Sequence, residues 1–426
     1  MTRRVVVTGI GPVTALGIGK DEFFSNILDR KTVICQIPPE YEKTYKFKSR
    51  YYVPKPEFSL SEYGISTNQE DIMGECARFS VLGTRLALQD AGFTINNEDK
   101  FFKVDRLDNC SIIVGLGMSS LQTAFESYLA HLFGKDGHVM EGYGENVRYN
   151  RMVIPMLMPN SVSAWVSILF RIEGANHTVN ASCASGTCAI GQAYLDILNG
   201  SCSTAITGGV ECLHEKNGAI MRGFDMLTAL TRSSDGKPFP FSKKRSGFLF
   251  NEGAGCILIL EELQQARKRG AHIYAEIAGY ECNSDAYNIV QMELSGKQII
   301  SLLEKIIKGR KIDYLNAHGT GTITNDQIEA EVIQQVFGDK ESQPLINSTK
   351  GLLGHSIGAS GAIETAVTAF SIKESRIHGN IIEDPVDNFN LVTEPVNVSI
   401  DYALSTSYGF GGHNAAILFK RYEENG

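Results

Sequence analysis

The sequence has no Cys-x-x-Cys pair, although it contains nine cysteines. The cysteines are scattered between Cys35 and Cys282, and this spacing argues against both a structural zinc site and a thioredoxin-like redox motif. An odd number of cysteines cannot all pair within one chain, and scattered thiols are typical of proteins in a reducing compartment. We therefore predict a cytoplasmic protein that holds no metal.

Long apolar runs and excess positive charge are also lacking. No window approaches the ~18 uninterrupted apolar residues of a membrane-spanning helix, and the opening "MTRRVVVTGIG" has no apolar stretch of signal-peptide length. The chain carries 40 Lys and Arg against 48 Asp and Glu, a formal net charge of -8. The sequence therefore predicts no membrane association, and its negative charge argues against a general nucleic-acid binder.

Short apolar stretches alternate with helical patterns along the chain. "NCSIIVGLG", "TAITGGVEC" and "GCILILEEL" are predicted as strands, and "ARFSVLGTRLALQDAG" has helical spacing. This alternation predicts an α/β fold with largely buried sheets. Gly9 and Gly11 match part of a dinucleotide-binding pattern, but Thr14 stands at its third position, so we predict only a tight strand-to-helix turn there. Residues 38–72 show no clear period, which indicates a long surface excursion.

The pattern of strands and helices restarts after about residue 270. Both "TVNASCASGTCAIGQAY" and "LINSTKGLLGHSIGASGAIETAV" run from a strand through small or polar residues into a helix. We therefore predict two structurally related halves. Residues 1–262 form the half with a nucleophilic cysteine, and residues 263–426 form the half with histidine and lysine motifs.

Cys183 is the candidate nucleophile. It stands among small residues at positions 182 and 184–186, directly before an apolar helix. A lone intracellular cysteine is more often a small buried hydrophobe. A thiol at a helix start, however, feels the positive end of the helix dipole, so we expect a lowered pKa and amide N–H groups that can bind an oxyanion. We assign Cys188, five positions later, to packing.

Two histidines and one lysine lie in Gly-rich segments that follow apolar strands. His318 stands in "NAHGTGT", and Lys350 and His355 stand in "STKGLLGHS". A single histidine is more often a structural side chain, but three such groups after strands are hard to explain by packing alone, because open α/β sheets place their sites at strand ends. No Gly-x-Ser-x-Gly motif offers a competing serine nucleophile.

Six motifs, in this order, resemble those of the β-ketoacyl-acyl carrier protein synthases of the elongating type, which are condensing enzymes of the thiolase superfamily. The resemblance covers nearly the whole chain and is weakest over residues 38–72 and 133–152. It implies a thiolase-like, five-layered αβαβα fold and a dimer. The motifs are "RRVVVTGIG", "ASCASGTCAIGQA", "PFSKKRSGFLFNEGAG", "NAHGTGTITNDQIEAEVI", "NSTKGLLGHSIGASGAIE" and "SYGFGGHNAAILF".

The resemblance also implies the catalytic roles. Cys183 would take an acyl chain from a carrier as a thioester. His318 and His355 would promote decarboxylation of a malonyl thioester and stabilise the resulting enolate oxygen, and Lys350 would keep the surroundings of His318 ordered. Neutral imidazole N–H groups in a dry pocket suit this chemistry.

Further residues receive roles by the same resemblance. The backbone N–H groups of Cys183 and Phe410 would form an oxyanion hole, and the Phe410 side chain would gate access to the thiol. Thr320 and Thr322 would bind the pantetheine arm. Two acidic residues would support the site from behind; these are Asp326 and Glu329. No bound cofactor is implied, since phosphopantetheine arrives on the acyl carrier protein as part of the substrate.

Three positions depart from the family's usual motifs. Ser242 and Ser246 stand where the pattern "PFDxxRDGF" has acidic residues, or Asn at the second position, and His413 stands where Thr follows "GFGG". Together with the dissimilar segments, these departures favour the ketosynthase α subunit of a type II polyketide system. Such a subunit acts with an acyl carrier protein and pairs with a cysteine-less relative, the chain-length factor.

Several alternatives can be compared with this prediction. A homodimeric fatty-acid elongation synthase stays open. A degradative thiolase would show a second cysteine near the carboxyl terminus, but the last cysteine is Cys282, and an initiating synthase would usually have Asn in place of His355. A non-catalytic chain-length factor would lack Cys183, and a carrier-binding module would have no use for the cysteine, histidines and lysine together.

Overall fold

The computed structural model of the protein describes residues 3–105, 107, 109–133, 138–139 and 149–424. Its strands are β1 (Val5–Thr14), β2 (Gly17–Ile18), β3 (Cys35–Gln36), β4 (Tyr51–Val53), β5 (Ile95–Glu98), β6 (Phe101–Val104), β7 (Cys110–Leu116), β8 (Asn176–Val179), β9 (Thr204–Cys212), β10 (Phe250–Asn251), β11 (Gly253–Glu262), β12 (Ala275–Ser284), β13 (Tyr314–Asn316), β14 (Leu345–Asn347), β15 (Arg376–Ile377), β16 (Val396–Asn397), β17 (Tyr402–Gly409) and β18 (His413–Lys420).

Its α-helices are α1 (Lys20–Leu28), α2 (Thr67–Glu70), α3 (Glu75–Asp90), α4 (Leu121–Leu132), α5 (Val153–Leu157), α6 (Ser161–Phe170), α7 (Ser185–Leu198), α8 (Ala219–Met226), α9 (Leu263–Arg269), α10 (Lys297–Ile307), α11 (Ile323–Phe337), α12 (Lys350–Leu353) and α13 (Ser360–Glu374). Short 3-10 turns occupy Tyr41–Lys43, Leu60–Tyr63, Ser182–Ala184 and Ile357–Ala359.

One large sheet runs in the order β14-β13-β17-β18-β12-β1-β11-β9-β7-β8. The strands are parallel towards its two ends, where β13 pairs with β14 and β17, and β7 pairs with β8 and β9. The central strands pair antiparallel. Strands β7, β9 and β1 are buried along their whole length, which explains their largely apolar sequences.

Helices α7 and α13 lie between the two halves of this sheet. Helix α7 contacts β7 and β9 as well as β12 and β18, and α13 packs against α7, β11 and β17. Helices α3 and α6 cover the first half of the sheet on its other side, while α10, with α11 packed on it, covers the second half. The layers therefore follow the order helix, sheet, helix, sheet, helix, so the predicted α/β layering is confirmed.

Strand β1 corrects one local prediction. It continues through Gly9 and Gly11 to Thr14, so the predicted strand-to-helix turn at these glycines is wrong. A Cβ atom at Gly9 would lie 2.2 Å from the carbonyl oxygen of Ala87, and one at Gly11 would lie 2.1 Å from that of Gly83. The glycines therefore serve the close approach of α3 to β1.

Residues 38–72 correct a second prediction, that of a long surface excursion. The segment has only short elements, as its lack of period indicates, but Tyr41, Phe47, Val53 and Leu60 are buried. The prediction of a surface excursion is therefore wrong for these apolar side chains, which pack into the core one at a time and so leave no periodic pattern. Of the dissimilar stretch 133–152, residues 134–137 and 140–148 lie outside the described residues.

The predicted division after residue 262 falls between β11 and α9. Because β1 pairs with both β11 and β12, sheet hydrogen bonds connect the two halves, and the division stays a prediction. In the part of the chain that the structure describes, none of the helices combines the length and apolar character that crossing a bilayer requires.

Candidate active site

Cys183 lies in the 3-10 turn that connects β8 to α7. Ser182 adopts a left-handed conformation with φ 54°. The Ser185 hydroxyl fixes the turn, because it accepts the Ala181 N–H at 2.9 Å and donates to the Ser182 carbonyl at 2.7 Å. A Cβ on Gly409 would lie 3.1 Å from the Cys183 amide nitrogen, so the end of β17 reaches this amide closely because it ends in glycine.

Burial dominates the electrostatics of the Cys183 thiol. The residue is 6% exposed, and this burial raises the pKa of the thiol. The Ser182 hydroxyl, the Lys350 charge and the Phe410 N–H act in the opposite direction. The predicted lowering of this pKa is therefore wrong. The cysteine precedes α7 in an apolar surround, and loss of hydration there outweighs these favourable contacts.

His318 directly follows β13 and meets a buried lysine. The Lys350 Nζ lies 3.2 Å from the His318 Nδ1 and donates to the His318 carbonyl oxygen at 2.7 Å. Since an ammonium group can only donate, Nδ1 accepts and the imidazole proton is assigned to Nε2. Lys350 is 2% exposed and forms an ion pair with Glu364, which supplies the countercharge that a buried ammonium requires.

His355 follows α12, and both its backbone N–H and its ring form hydrogen bonds. Its N–H donates to the Leu249 carbonyl at 2.8 Å, and its Nδ1 lies 2.9 Å from the Ser360 hydroxyl. Its Nε2 is buried and has no hydrogen-bond partner among the described residues. An orphan nitrogen of this kind is suited to a substrate oxygen.

The two imidazoles face each other inside the protein. Their ring centroids lie 5.6 Å apart at an interplanar angle of 87°. Burial, reinforced by the Lys350 charge, lowers the pKa of both His318 and His355 well below the ordinary value. Both rings are therefore neutral at physiological pH, so each carries one N–H donor and one acceptor.

The loop after β13 is organised by two buried carboxylates of α11. Glu329 accepts the N–H groups of His318 and Gly319, both at 2.8 Å. Asp326 accepts those of Phe241 at 2.7 Å and Gly321 at 3.1 Å. Burial raises the pKa of Glu329 to about 7 and also raises that of Asp326. Both carboxylates thus hold backbone N–H groups of the loop, and their support of the chemistry stays a prediction.

The remaining candidate residues surround the same site. The hydroxyls of Thr320 and Thr322 lie 2.9 Å apart on this loop. Phe410 packs against a buried apolar cluster that contains Cys183 and Phe248. The Phe248 ring in turn meets the His355 ring edge-on at 5.2 Å. Contacts therefore link the two halves of the chain: the His318 ring meets the His355 ring, which meets the Phe248 ring of the cluster that contains Cys183.

Sequence reasoning missed four residues of this region. Glu364 balances Lys350, Ser360 orients His355, and the Tyr408 ring lies 5.5 Å from the His318 ring. The fourth, Glu211, accepts the amides at positions 117, 118 and 358 at 2.9–3.0 Å, and burial raises its pKa to about 8. A carboxylate in the role of Glu364 could have been predicted from the sequence, because a lysine in a buried site requires a carboxylate partner.

The departures from the family motif are accommodated locally. The buried Ser242 hydroxyl contacts the Glu383 carbonyl, and Ser246 accepts the Arg232 N–H at 2.9 Å. His413 is exposed at the start of β18. The two serines therefore make short neutral contacts to backbone groups at positions where the usual motif has acidic side chains.

The sequence matches the profile of the β-ketoacyl synthase N-terminal domain over residues 2–266 and that of the C-terminal domain over residues 274–382. The 3-oxoacyl-[acyl-carrier-protein] synthase 2 of Staphylococcus aureus is 31% identical over 438 residues, which cover 99% of each chain. A 3-oxoacyl-[acyl-carrier-protein] synthase homolog of Saccharomyces cerevisiae is 30% identical and covers 99% of this chain and 100% of its own.

Solved structures are similar over the same extent. A type II polyketide ketosynthase in complex with its acyl-carrier protein superposes with a TM-score of 0.85 at 25% identity, covering 99% of this chain and 100% of that one. The ishigamide ketosynthase/chain length factor gives the same values. A β-ketoacyl synthase from Burkholderia phymatum has a TM-score of 0.85 at 28% identity, with coverage of 99% and 100%. These similarities confirm the fold that the sequence resemblance implied.

Proposed function

The chain belongs to the β-ketoacyl synthase family, and from this premise we propose how its residues carry out condensation. The reaction is a decarboxylative Claisen condensation between an acyl chain held on Cys183 and a malonyl group on an acyl carrier protein. Its product is a β-ketoacyl-acyl carrier protein. The observation that carries the proposal is the pair of buried, neutral imidazoles with ring centroids 5.6 Å apart, one of which meets the Phe248 ring of the apolar cluster that contains Cys183, with Lys350 directing one imidazole proton.

In the first half-reaction, the Cys183 sulfur attacks the thioester carbonyl of the acyl carrier. The new S–C bond forms, the carrier's S–C bond breaks, and the thiol proton leaves with the carrier sulfur. The Phe410 N–H already contacts the thiol, and with the Cys183 N–H it would stabilise the tetrahedral oxyanion. Because burial raises the pKa of this thiol, these contacts are needed to stabilise charge as it develops.

In the second half-reaction, the malonyl thioester loses carbon dioxide. The electrons of the broken C–C bond move to the thioester oxygen and form an enolate. The Nε2–H of His318 would donate to that oxygen. The orphan Nε2 of His355 would also donate, in the neutral tautomer that carries the ring proton on Nε2. The enolate carbon then attacks the acyl group on Cys183, and the cysteine sulfur leaves. Thr320 and Thr322 would hold the pantetheine arm, and Phe410 would gate its entry.

We assign the chain to type II polyketide elongation with a chain-length factor as its partner. The observations that support this are the serines at 242 and 246, the exposed His413 and the likeness to two polyketide ketosynthase structures. The second candidate, a homodimeric fatty-acid elongation synthase, is favoured by the 31% identity to 3-oxoacyl-[acyl-carrier-protein] synthase 2. Either assignment uses phosphopantetheine as part of the carrier substrate, without a further cofactor, and places the protein in the cytoplasm.

The chemistry is tested with His318→Ala. This variant should still accept an acyl group on Cys183, as seen by intact-protein mass, but it should release no labelled carbon dioxide from malonyl-acyl carrier protein. Release at the wild-type rate would refute the role of His318.

The assembly is tested by measuring the mass of the protein expressed alone and together with a cysteine-less relative from a neighbouring reading frame. A stable, active homodimer alone would favour the fatty-acid assignment.

A further inference from the structure

The apolar cluster around Cys183 is partly built by the segment 41–49, which we call the clamped segment. Tyr41 and Phe47 of this segment are buried in the same cluster as Cys183. Helix α8 contributes Met221 and Phe224 to the cluster. An acyl group on the Cys183 sulfur has to occupy apolar space next to that sulfur, and this cluster is the apolar surround that contains Cys183.

A buried carboxylate on α8 holds the clamped segment in place. Asp225 is 2% exposed and directly follows Phe224. Its oxygens accept from the Tyr45 hydroxyl at 2.7 Å, the Lys48 N–H at 3.1 Å and the Ser49 N–H at 3.0 Å. All three donors belong to the clamped segment, so Asp225 uses its hydrogen bonds to fasten that segment to the helix that contributes Met221 and Phe224 to the cluster.

Other contacts fix the same segment. The Tyr41 hydroxyl donates to Glu252, next to β10, and the Arg222 guanidinium lies 4.7 Å from the centre of the Tyr45 ring. The Tyr45 and Phe47 rings meet edge-on at 4.9 Å. The aromatic side chains that the clamped segment gives to the cluster are therefore held by polar contacts as well as by packing.

We propose that Asp225 is a positioning residue that limits the length of the acyl chain accepted by Cys183. It acts by holding the clamped segment, and with it Phe47, closed over the apolar cluster. Overfilling a packed apolar region forces side chains or backbone to move, so a longer chain is accepted only if the segment moves outward. This inference rests on the proposed function, because it concerns the acyl group that the thiol receives.

The test compares acylation of Cys183 by a series of straight-chain acyl-pantetheine thioesters, from acetyl to dodecanoyl, measured by intact-protein mass against time. The variants are Asp225→Asn, which loses the charge, and Tyr45→Phe, which loses one donor. Glu70→Gln is the matched control. Glu70, on α2, is also a buried carboxylate, and it accepts from the Leu60 N–H at 3.1 Å and the Ser59 hydroxyl at 3.3 Å, but these donors lie outside the clamped segment.

We expect Asp225→Asn to raise the ratio of dodecanoyl to butyryl acylation rates about tenfold, because one methylene in an apolar pocket already changes rates by about that factor. Tyr45→Phe should shift the ratio in the same direction by less, and Glu70→Gln should leave it unchanged. A purely structural role would lower all rates equally. If wild-type Cys183 is acylated while Asp225→Asn and Tyr45→Phe keep the wild-type ratio, the inference is wrong. Failure of every thioester to acylate the wild-type thiol would instead overturn the proposed function, and this inference with it.

Discussion

The turn that holds Cys183 and the turn that begins at Ile357 share one backbone design. Ser182 and Ile357 both adopt left-handed conformations, with φ 54° and 46°, and each begins a 3-10 turn that leads into a helix. Those helices begin with Ser185 and Ser360, and each serine hydroxyl accepts an N–H group from four residues earlier, at 2.9 Å and 3.1 Å. The correspondence supports the related halves that the sequence suggested.

The two turns differ in what their second residue does. In the first turn this residue is Cys183, whose amide faces Gly409 at the end of β17. In the second turn it is Gly358, whose amide donates to Glu211 at 3.0 Å. One turn therefore carries the cysteine that we propose as the nucleophile, whereas the other is anchored to a buried carboxylate and holds His355 through Ser360. The same backbone conformation can therefore hold either a reactive side chain or a backbone anchor, depending on whether its second residue is Cys183 or Gly358.

The largest expected effect comes from replacing Cys183 in the first turn. Cys183→Ala should abolish acyl capture and lower condensation by about a thousandfold or more, because the covalent step has no other nucleophile. The measurement is intact-protein mass after incubation with an acyl thioester. Cys188→Ala, on α7 only five residues away, is the control and should be acylated like the wild type. Acylation of Cys183→Ala at a different cysteine would contradict the assignment.

The next effect concerns the charge pair behind His318. Lys350→Met leaves Glu364 buried without its partner and should lower the free energy of unfolding by about 3–5 kcal/mol. Adding Glu364→Leu removes the orphaned carboxylate and should restore most of that stability but not the decarboxylation rate. Urea unfolding and carbon dioxide release together provide the measurement. Restored decarboxylation in the double variant would show that Lys350 does not orient His318.

A smaller effect should distinguish the roles of Ser185 and Ser360. Ser185→Ala and Ser360→Ala should each cost about 1 kcal/mol of unfolding free energy, since each removes one buried hydrogen-bonding hydroxyl. Only Ser360→Ala should reduce decarboxylation, because only Ser360 contacts a catalytic imidazole. Parallel unfolding curves and carbon dioxide assays test this. Equal loss of decarboxylation in both variants would show that the turns are not specialised as described.

The smallest effect is an expected absence of histidine titration from the pH dependence. The lowered pKa values of His318 and His355 keep both rings neutral as the pH falls from 8 to about 6, so neither ring should add an inflection to the decarboxylation rate over that range. An inflection near pH 7 belongs instead to the carboxyls of Glu329 and Glu364, because burial raises the pKa of each to about 7. The measurement compares pH–rate profiles of the wild type, Glu329→Gln and Glu364→Gln. A fall in rate centred near the ordinary histidine pKa of about 6.5 that persists in both variants would contradict the structure.

The sequence was informative where a residue type and its neighbours carry the signal together. Cys183 among small residues and His318 after an apolar strand became candidates in this way, and both are buried in the fold. Residues without a local signal were missed. Asp225 and Glu211 are single carboxylates in ordinary helix and strand patterns, and only their distant hydrogen-bond donors reveal what they hold.

The sequence by itself determined the alternation of strands and helices, the family and the set of candidate side chains, because each of these is written in local pattern and motif order. Tertiary structure alone decided that the Cys183 thiol has a raised pKa, that Lys350 is paired with Glu364 and that residues 41–49 contribute to the apolar cluster that contains the cysteine. These properties depend on burial and on contacts between residues far apart in the chain. Desolvation and pairing arise only once the layers have packed.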